Sequence, residues 1–391
     1  DPSRILALCI LTGEQHAIGT DALAVLRGLP AERWVSADAH DSGIVSDLIA
    51  KGLVISDAED PGATELRERD EALSAQEWNL YAALYHYMTQ WQGVEAVPVD
   101  SDVQLRDDTR AAAQAFIAYY GPPPGPFHEV STTRELMLPG TERAGGLYQA
   151  LLARRTTRAF DPDASMTLGQ LDTVLRYVFG CHGYATTVAD ALCIKRTSPS
   201  GGALHPVEAY PVISRVAGIE PGIYHYNVRD HALGLISELD ADEAQRLATS
   251  FMCGQRHFGT AAVSFVMTAR FSRNHWKYRR HHRAYAGILM DAAHLSQTLY
   301  LVAGELNLGA FVTIAINGRD IERRLGLDGV SEGVVAMTGC GPRALGQSPL
   351  ELQFDTNALS PHQLRGRPDV GRAIATQADL DLGSVADRAG V

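Results

Sequence analysis

The run Gly121-Pro122-Pro123-Pro124-Gly125-Pro126 constrains this chain more than any other feature. Successive prolines donate no backbone hydrogen bonds and stiffen the chain as polyproline, so neither a helix nor a central strand passes through them. A domain boundary is expected there. At 391 residues the chain is long enough for two domains and a large core. The predicted division is a small winged-helix-like α+β module plus helices at 1–120, a proline-rich linker at 121–146, a main domain at 147–348 and a tail at 349–391.

The composition, 46% hydrophobic and 20% charged, is that of a globular protein. No apolar run approaches the roughly 20 residues of a membrane-spanning helix. Ile5 to Leu11 is apolar but shorter than a signal core, without a preceding positive cluster or a small-residue cleavage site, and reads as a first strand. Cys9, Cys181, Cys193, Cys253 and Cys340 are scattered without metal-ligand or redox-motif spacing, which predicts a reduced, cytoplasmic protein with no bound metal. His281, His282, Asp291 and His294 cannot converge from one strand-to-helix stretch, so capping and packing are expected of them. A net charge of −12 disfavours nucleic acid and anionic lipid as partners. Between Arg270 and Arg283, however, Arg273, Lys277, Arg279 and Arg280 occur with no acidic residue among them.

Ile44 to Lys51, Gly52 and then Leu53-Val54-Ile55 read as helix, stop and strand, the way a small winged-helix module ends. Ser74 with Glu77 predicts a capping box ahead of a helix whose Trp78, Tyr81, Ala82, Tyr85 and Met88 share one packing face. Thr167 with Gln170 predicts a second capped helix carrying Leu168, Leu171, Val174, Leu175 and Val178 and stopping at Gly180. Strands are predicted at Tyr210–Ile213, Ile223–Tyr226, Leu233–Ile236, Ala261–Thr268 and Gly333–Met337, with a long helix at Ala284–Glu305. Strands and helices out of strict alternation point to an α+β layered domain.

Two segments carry chemistry. Arg154-Arg155-Thr156-Thr157-Arg158-Ala159-Phe160-Asp161 gathers guanidiniums and hydroxyls suited to a phosphate, a ribityl chain and the carbonyl edge of a heterocycle. Alone, such a basic run is usually a solvated surface. Pro199-Ser200-Gly201-Gly202-Ala203-Leu204-His205-Pro206 offers backbone amides that can approach a flat ring closely. Alone, it is merely a turn. Ser200-Gly201 lacks the nucleophile-elbow pattern, and neither a Walker loop nor a dinucleotide fingerprint occurs.

In this order and spacing the two segments resemble the nitroreductase-like flavoproteins. Pro199 to Pro206 with Glu208 and Tyr210 is similar to the SagB-type (McbC-like) branch, the azoline dehydrogenases of ribosomal peptide maturation. The likeness runs from about Leu147 to Pro342. It implies a nitroreductase-like α+β fold with a central mixed sheet flanked by helices, and a homodimer holding FMN. It puts Arg154, Arg155, Thr156 and Arg158 on the FMN phosphate, ribityl chain and pyrimidine edge. Pro199, Ser200, Gly201 and Gly202 would reach the flavin from the partner subunit. Leu308-Gly309-Ala310 would lie under the ring, and Arg343 near the phosphate.

Lys277-Tyr278 resembles the Lys-Tyr catalytic pair of azoline dehydrogenases. Aromatising a thiazoline or oxazoline removes a hydride and a proton, so the flavin's hydride needs a base beside it. An ammonium serves as that base only where burial or neighbouring cations favour its neutral form. Implied partners are a precursor peptide, held by the N-terminal region, and a cyclodehydratase; dioxygen is the expected electron acceptor. Two alternatives stay open: an NAD(P)H-dependent nitro, quinone or enone reductase, and a non-catalytic peptide-binding scaffold.

Overall fold

Alternation along two neighbouring strands decides how the main sheet is filled. In β5 (Val207–Ile213) and β8 (Val263–Arg270), the odd-numbered Val207, Ala209, Ile213, Phe265, Met267 and Ala269 enter one core, and the even-numbered Tyr210, Val212 and Val266 enter another. Successive side chains of a strand point to opposite faces, so these strands are packed on both sides. β8 is accordingly buried along all but its last residue.

The computed structural model describes residues 5–30, 33–95, 111, 114–115, 117–122, 131–136, 138, 143–186, 191–345 and 351. The expected proline-rich boundary lies outside these residues from 123 onward, as does the expected tail apart from residue 351. The chain divides into two units, Asp1–Ala96 with Ala153–Leu345, and Val97–Leu152 with Gly346–Val391. In the second, the described residues include most of helix α5 (Gly146–Ala153).

The first unit opens with the hairpin β1 (Ile5–Cys9) and β2 (Glu14–Ile18), antiparallel with Ile5 opposite Ile18. Helices α1 (Thr20–Gly28), α2 (Ser42–Ala50), α3 (Pro61–Ala75) and α4 (Leu80–Met88) follow. A small core of Ile18, Ala22, Val25, Val45 and Leu48 joins β2, α1 and α2. Leu53-Val54-Ile55 does not form the expected strand: the Leu53 and Val54 amides both donate to Leu48 O, folding the chain back on α2.

The expected Ser74–Glu77 capping box is also replaced. Ser74 lies within α3, Glu77 takes a left-handed φ of 53° that breaks the helical path, and Asn79 caps α4 through Ala82 N. Asn is as good an N-cap as Ser, and the break at Glu77 decides between them. The rotation moves the packing face: Ala82, Ala83, His86 and Tyr87 are buried, whereas Tyr81 and Tyr85 are exposed.

The six-stranded sheet runs β7 (Ala232–Glu238), β6 (Gly222–Asn227), β5, β8, β10 (Glu332–Pro342), β9 (Leu308–Thr313). The α+β class is as expected. The sheet is antiparallel in every strand pair described, rather than mixed; at its β5-β6-β7 end the connecting turns are too short for a parallel crossover. A separate hairpin, β3 (Gly183–Thr186) with β4 (Leu192–Lys195), leads into the glycine-bearing turn.

One face of the sheet is covered by α6 (Leu168–Val174), its π-helical continuation Leu175–Phe179, and the long helix α10 (Ala284–Glu305). The Thr167–Gln170 capping box is present, and Leu171, Val174, Leu175 and Val178 are buried as predicted, with Leu168 exposed. The other face is covered by α7 (Ala241–Phe251), the short α8 (Arg256–Gly259) and α11 (Gly318–Leu325). Between β8 and α10 runs α9 (Phe271–Tyr278). No helix among the described residues is long and apolar enough to cross a membrane.

Glu322 fastens α11 to the sheet, accepting from Val334 N at 3.1 Å. Burial pushes its carboxyl up to about 7, against the pull of the Val334 bond and of Arg69 and Arg319. A carboxyl raised in the folded state favours folding while protonated, and that contribution is lost as pH rises from about 4.5 through about 7. Glu322→Gln keeps an acceptor for Val334 and cannot ionise. Its stability relative to the parent is expected to rise across this window by on the order of 3 kcal/mol. Denaturant unfolding of both proteins at several pH values checks this; parallel pH profiles would contradict it.

Candidate functional site

The segment from Arg154 to Asp161 is laid along the end of the sheet by backbone bonds. Thr157 N donates to Ala310 O at 2.8 Å, Asp161 N to Pro342 O at 3.0 Å, and Ala344 N to Ala159 O at 3.0 Å. Phe160 forms a bridge with Arg343, so Arg343 lies beside the first motif although it is far away in sequence. The guanidinium of Arg154 lies 5.3 Å from the Tyr300 ring centre, and Thr156 Oγ1 is 3.0 Å from Tyr300 Oη. Arg158 lies 5.9 Å from the ring centre of Phe258. Arg154 and Arg155 are exposed, and Arg158 is half-buried.

Thr157 is buried, with no partner for its Oγ1. A methyl group on Gly309 would stand 2.6 Å from Thr157 Cγ2, so only glycine lets this segment lie so close to β9. Arg154, Arg155, Thr156, Arg158, Leu308, Gly309 and Arg343 thus belong to one neighbourhood.

The second segment is clamped onto α10. Ser200 Oγ donates to Asp291 Oδ2 at 2.5 Å, and Gly201 N donates to Asp291 Oδ1 at 3.3 Å. Ser200 Oγ also accepts from His205 N at 2.9 Å. Upstream, Ser198 Oγ is 2.6 Å from Thr298 Oγ1 and 3.3 Å from His294 O. Downstream, Arg273 Nε donates to Leu204 O at 2.5 Å, and the buried Arg196 donates to Val207 O at 2.9 Å.

These bonds hold a backbone that would not choose this shape. Gly202, Ala203 and His205 have φ of 65°, 56° and 47°, a left-handed region that suits glycine and strains the other two. Asp291 is only 5% exposed; burial pushes its carboxyl up, while the Ser200 and Gly201 bonds pull it back. His205 is held neutral, lowered to about 4 by burial and then by Arg196 and Arg273.

Lys277 and Tyr278 end α9, where Arg279, at φ 50°, turns the chain away. A methyl group on Gly202 would lie 2.7 Å from Lys277 Nζ and 2.9 Å from Tyr278 Oη. On Gly201 it would lie 3.8 Å from the same Tyr278 oxygen. The glycine turn and the Lys-Tyr pair, some 75 residues apart in the chain, therefore meet directly. Lys277 is exposed and Tyr278 half-buried, with Lys277 Nζ 5.8 Å from the Tyr278 ring centre.

The site residues thus form two groups against one helix. The arginine edge meets α10 at Tyr300 and the glycine turn meets it at Asp291, nine residues earlier, which is roughly 13 Å of helix. Sequence reasoning passed over Tyr300, read Thr157 and Arg196 only as members of their segments, and assigned Asp291 only to capping and packing. Asp291 did carry a signal: it is an acid in the row Ile288, Asp291, Leu295 and Leu299, all buried.

Residues 151–341 match the nitroreductase family. The trifolitoxin-processing protein TfxB of Rhizobium leguminosarum bv. trifolii is 35% identical over 161 residues, 40% of this chain and 39% of that protein. The chain therefore spans well under half the length of this relative. A protein of Methanocaldococcus jannaschii named as a nitroreductase is 29% identical over 193 residues, 49% of this chain and 90% of that protein. Among solved structures, one named as a nitroreductase from Anabaena variabilis is 26% identical, with a TM-score of 0.43, and covers 51% of this chain and 38% of that one. A chain of the E. coli microcin synthetase McbBCD complex with truncated pro-MccB17 bound is 18% identical, with a TM-score of 0.41, covering 64% of this chain and all of its own. Because the sheet and its long helix fall almost wholly within the matched span, residues 151–341 constitute a nitroreductase-family domain.

Proposed function

We propose that the protein is an FMN-dependent dehydrogenase that oxidises azoline rings, or a related residue, in a ribosomally synthesised peptide. The observation that carries this reading is the meeting of Gly201 and Gly202 with Lys277 and Tyr278. It sets amides able to border a flat ring beside an amine and a phenol able to move a proton. The match to a protein named for toxin processing supports the same reading.

The residues fit FMN. Arg154, Arg155 and Arg158 offer cations to a phosphate at the edge where Thr156 and Arg343 also lie. The buried, unpartnered Thr157 Oγ1 marks a polar group there still lacking a bond. Gly201 and Gly202 are exposed and carry no side chain of their own. When bound, FMN would supply the acceptor for the hydride that leaves the azoline ring.

Lys277 and Tyr278 then have the other half of the chemistry, taking the proton that must leave with the hydride. Lys277 is exposed, so its amine is open to the ring and the peptide substrate it would act on. Tyr278 Oη, within reach of the same glycine, orients the reacting ring or passes the proton onward.

A homodimer accounts for the separation of the two groups along α10. Ala286, Met290, Ala293 and Gln297 form an exposed, uncharged face on that helix. A second copy covering this face would bring the glycine turn of one protomer to the arginine edge of the other. The N-terminal region would receive the precursor peptide, with a cyclodehydratase as supplier of the azoline.

Lys277→Ala and Tyr278→Phe are expected to retain bound flavin, read from visible absorbance, while azoline oxidation falls by about 100-fold or more. Full turnover in both variants would overturn the assignment. Gly309→Ala should instead displace Thr157 and the arginine edge, giving a folded but colourless protein, as judged by circular dichroism and flavin content.

A further inference from the structure

Helix α4, Leu80-Tyr81-Ala82-Ala83-Leu84-Tyr85-His86-Tyr87-Met88, contains no acidic residue, lysine or arginine and is apolar on all sides. Such a helix is normally enclosed. Among the described residues only one side is covered, and Leu80, Tyr81 and Tyr85 remain 63%, 73% and 57% exposed. Large apolar side chains left together in water mark a contact surface.

The N-terminal end of this helix is bonded to the turn that follows the Lys-Tyr pair. Asn79 Nδ2 donates to Arg280 O at 3.0 Å and lies 3.2 Å from His282 Nδ1. The turn is Arg279-Arg280-His281-His282-Arg283, exposed throughout, and Trp276 just before it is 57% exposed. Glu77, 3.5 Å from Arg279, offsets one of the cations. In a chain of net charge −12, this places exposed arginines, aromatic rings and the Lys277–Tyr278 pair on one continuous surface.

We infer that this surface is the docking platform for an acidic stretch of the peptide substrate, with carboxylates on Arg279, Arg280 and Arg283 and apolar side chains on Leu80, Tyr81 and Tyr85. The inference deepens the peptide-substrate reading and rests on it. Charge selects the occupant. In a chain of net charge −12 a cationic surface is a local exception, and one beside the reacting pair both attracts and orients an acidic peptide. Nucleic acid binding draws on many more phosphate contacts than these arginines supply. Two copies of the surface facing each other across a two-fold axis would set like charges together.

The test uses the full chain reconstituted with FMN and a pair of fluorescein-labelled peptides of equal length, one built of Glu and Leu, the other of Lys and Leu. Fluorescence anisotropy is expected to show the Glu-Leu peptide binding at least about tenfold more tightly at low salt, with the difference shrinking as salt rises. The double variant R280E/R283E should lose about tenfold or more of that affinity and Y81A/Y85A about threefold to tenfold, with flavin content unchanged. Equal binding of the two peptides, or an unaltered affinity in R280E/R283E, overturns the inference. So does dissociation of a dimer in R280E/R283E by sedimentation, which would assign the surface to a second copy of the chain. The same anisotropy series on flavin-free protein separates the two readings: failure to take up FMN sinks the enzymatic proposal, while the preference for acidic peptide is read independently of it.

Discussion

A single buried carboxylate organises the part of this molecule where chemistry is possible. Asp291 projects from the core-facing row of a long apolar helix, where an ionised group is costly unless it is bonded. It is bonded by Ser200 and Gly201, and those two bonds decide the path of the following turn. From that path follow the left-handed residues, the closeness of Gly202 to Lys277 and Tyr278, and the direction in which the backbone enters β5. Remove the carboxylate and the start of the turn loses its hold on the helix. Leave it unpaired and the helix core has no reason to accept it. The helix and the turn are each the condition for the other.

How much of this could be read in advance depended on whether the deciding interaction was local. The sheet strands β5, β6, β7, β8 and β10 carry continuous or alternating apolar runs, and their positions were legible to within a few residues. The long helix was read at its observed limits, Ala284 to Glu305, because its largely apolar rows run on to a basic turn at one end and Asn307 at the other. The capping box at Thr167 involves only neighbours and was equally plain. Where two local signals competed, the choice was made elsewhere. Ser74 and Asn79 are both good caps, and the left-handed Glu77 between them, not their own chemistry, selects Asn79. Leu53-Val54-Ile55 has strand composition but finds its hydrogen bonds on α2. α11 and β9 escaped notice because one is mostly charged and the other short with a glycine near its start; tertiary packing gives both their order.

The candidate site divides in the same way. Motif residues could be named from sequence, but not their grouping. Arg343 joins the arginine segment through a backbone bridge, and Gly309 joins it through the space its missing side chain leaves for Thr157. Neither relation is visible in the order of residues. Asp291 was visible as an acid on an apolar row, yet its partner, a serine ninety-one positions earlier, was not. Long-range polar pairs of this kind are the features that one-dimensional periodicity does not encode.

The wound turn has a further consequence. Ala203 and His205 each sit in a conformation that costs on the order of 1–3 kcal/mol, held by anchors at Asp291 and Arg273 rather than by their own preference. The turn therefore behaves as a cocked spring fixed at both ends to rigid helices. Cutting an anchor would release it locally while the two cores that hold the sheet stay intact. Injury here would accordingly silence the protein long before unfolding it, leaving a sound scaffold around a mouth that no longer holds its shape.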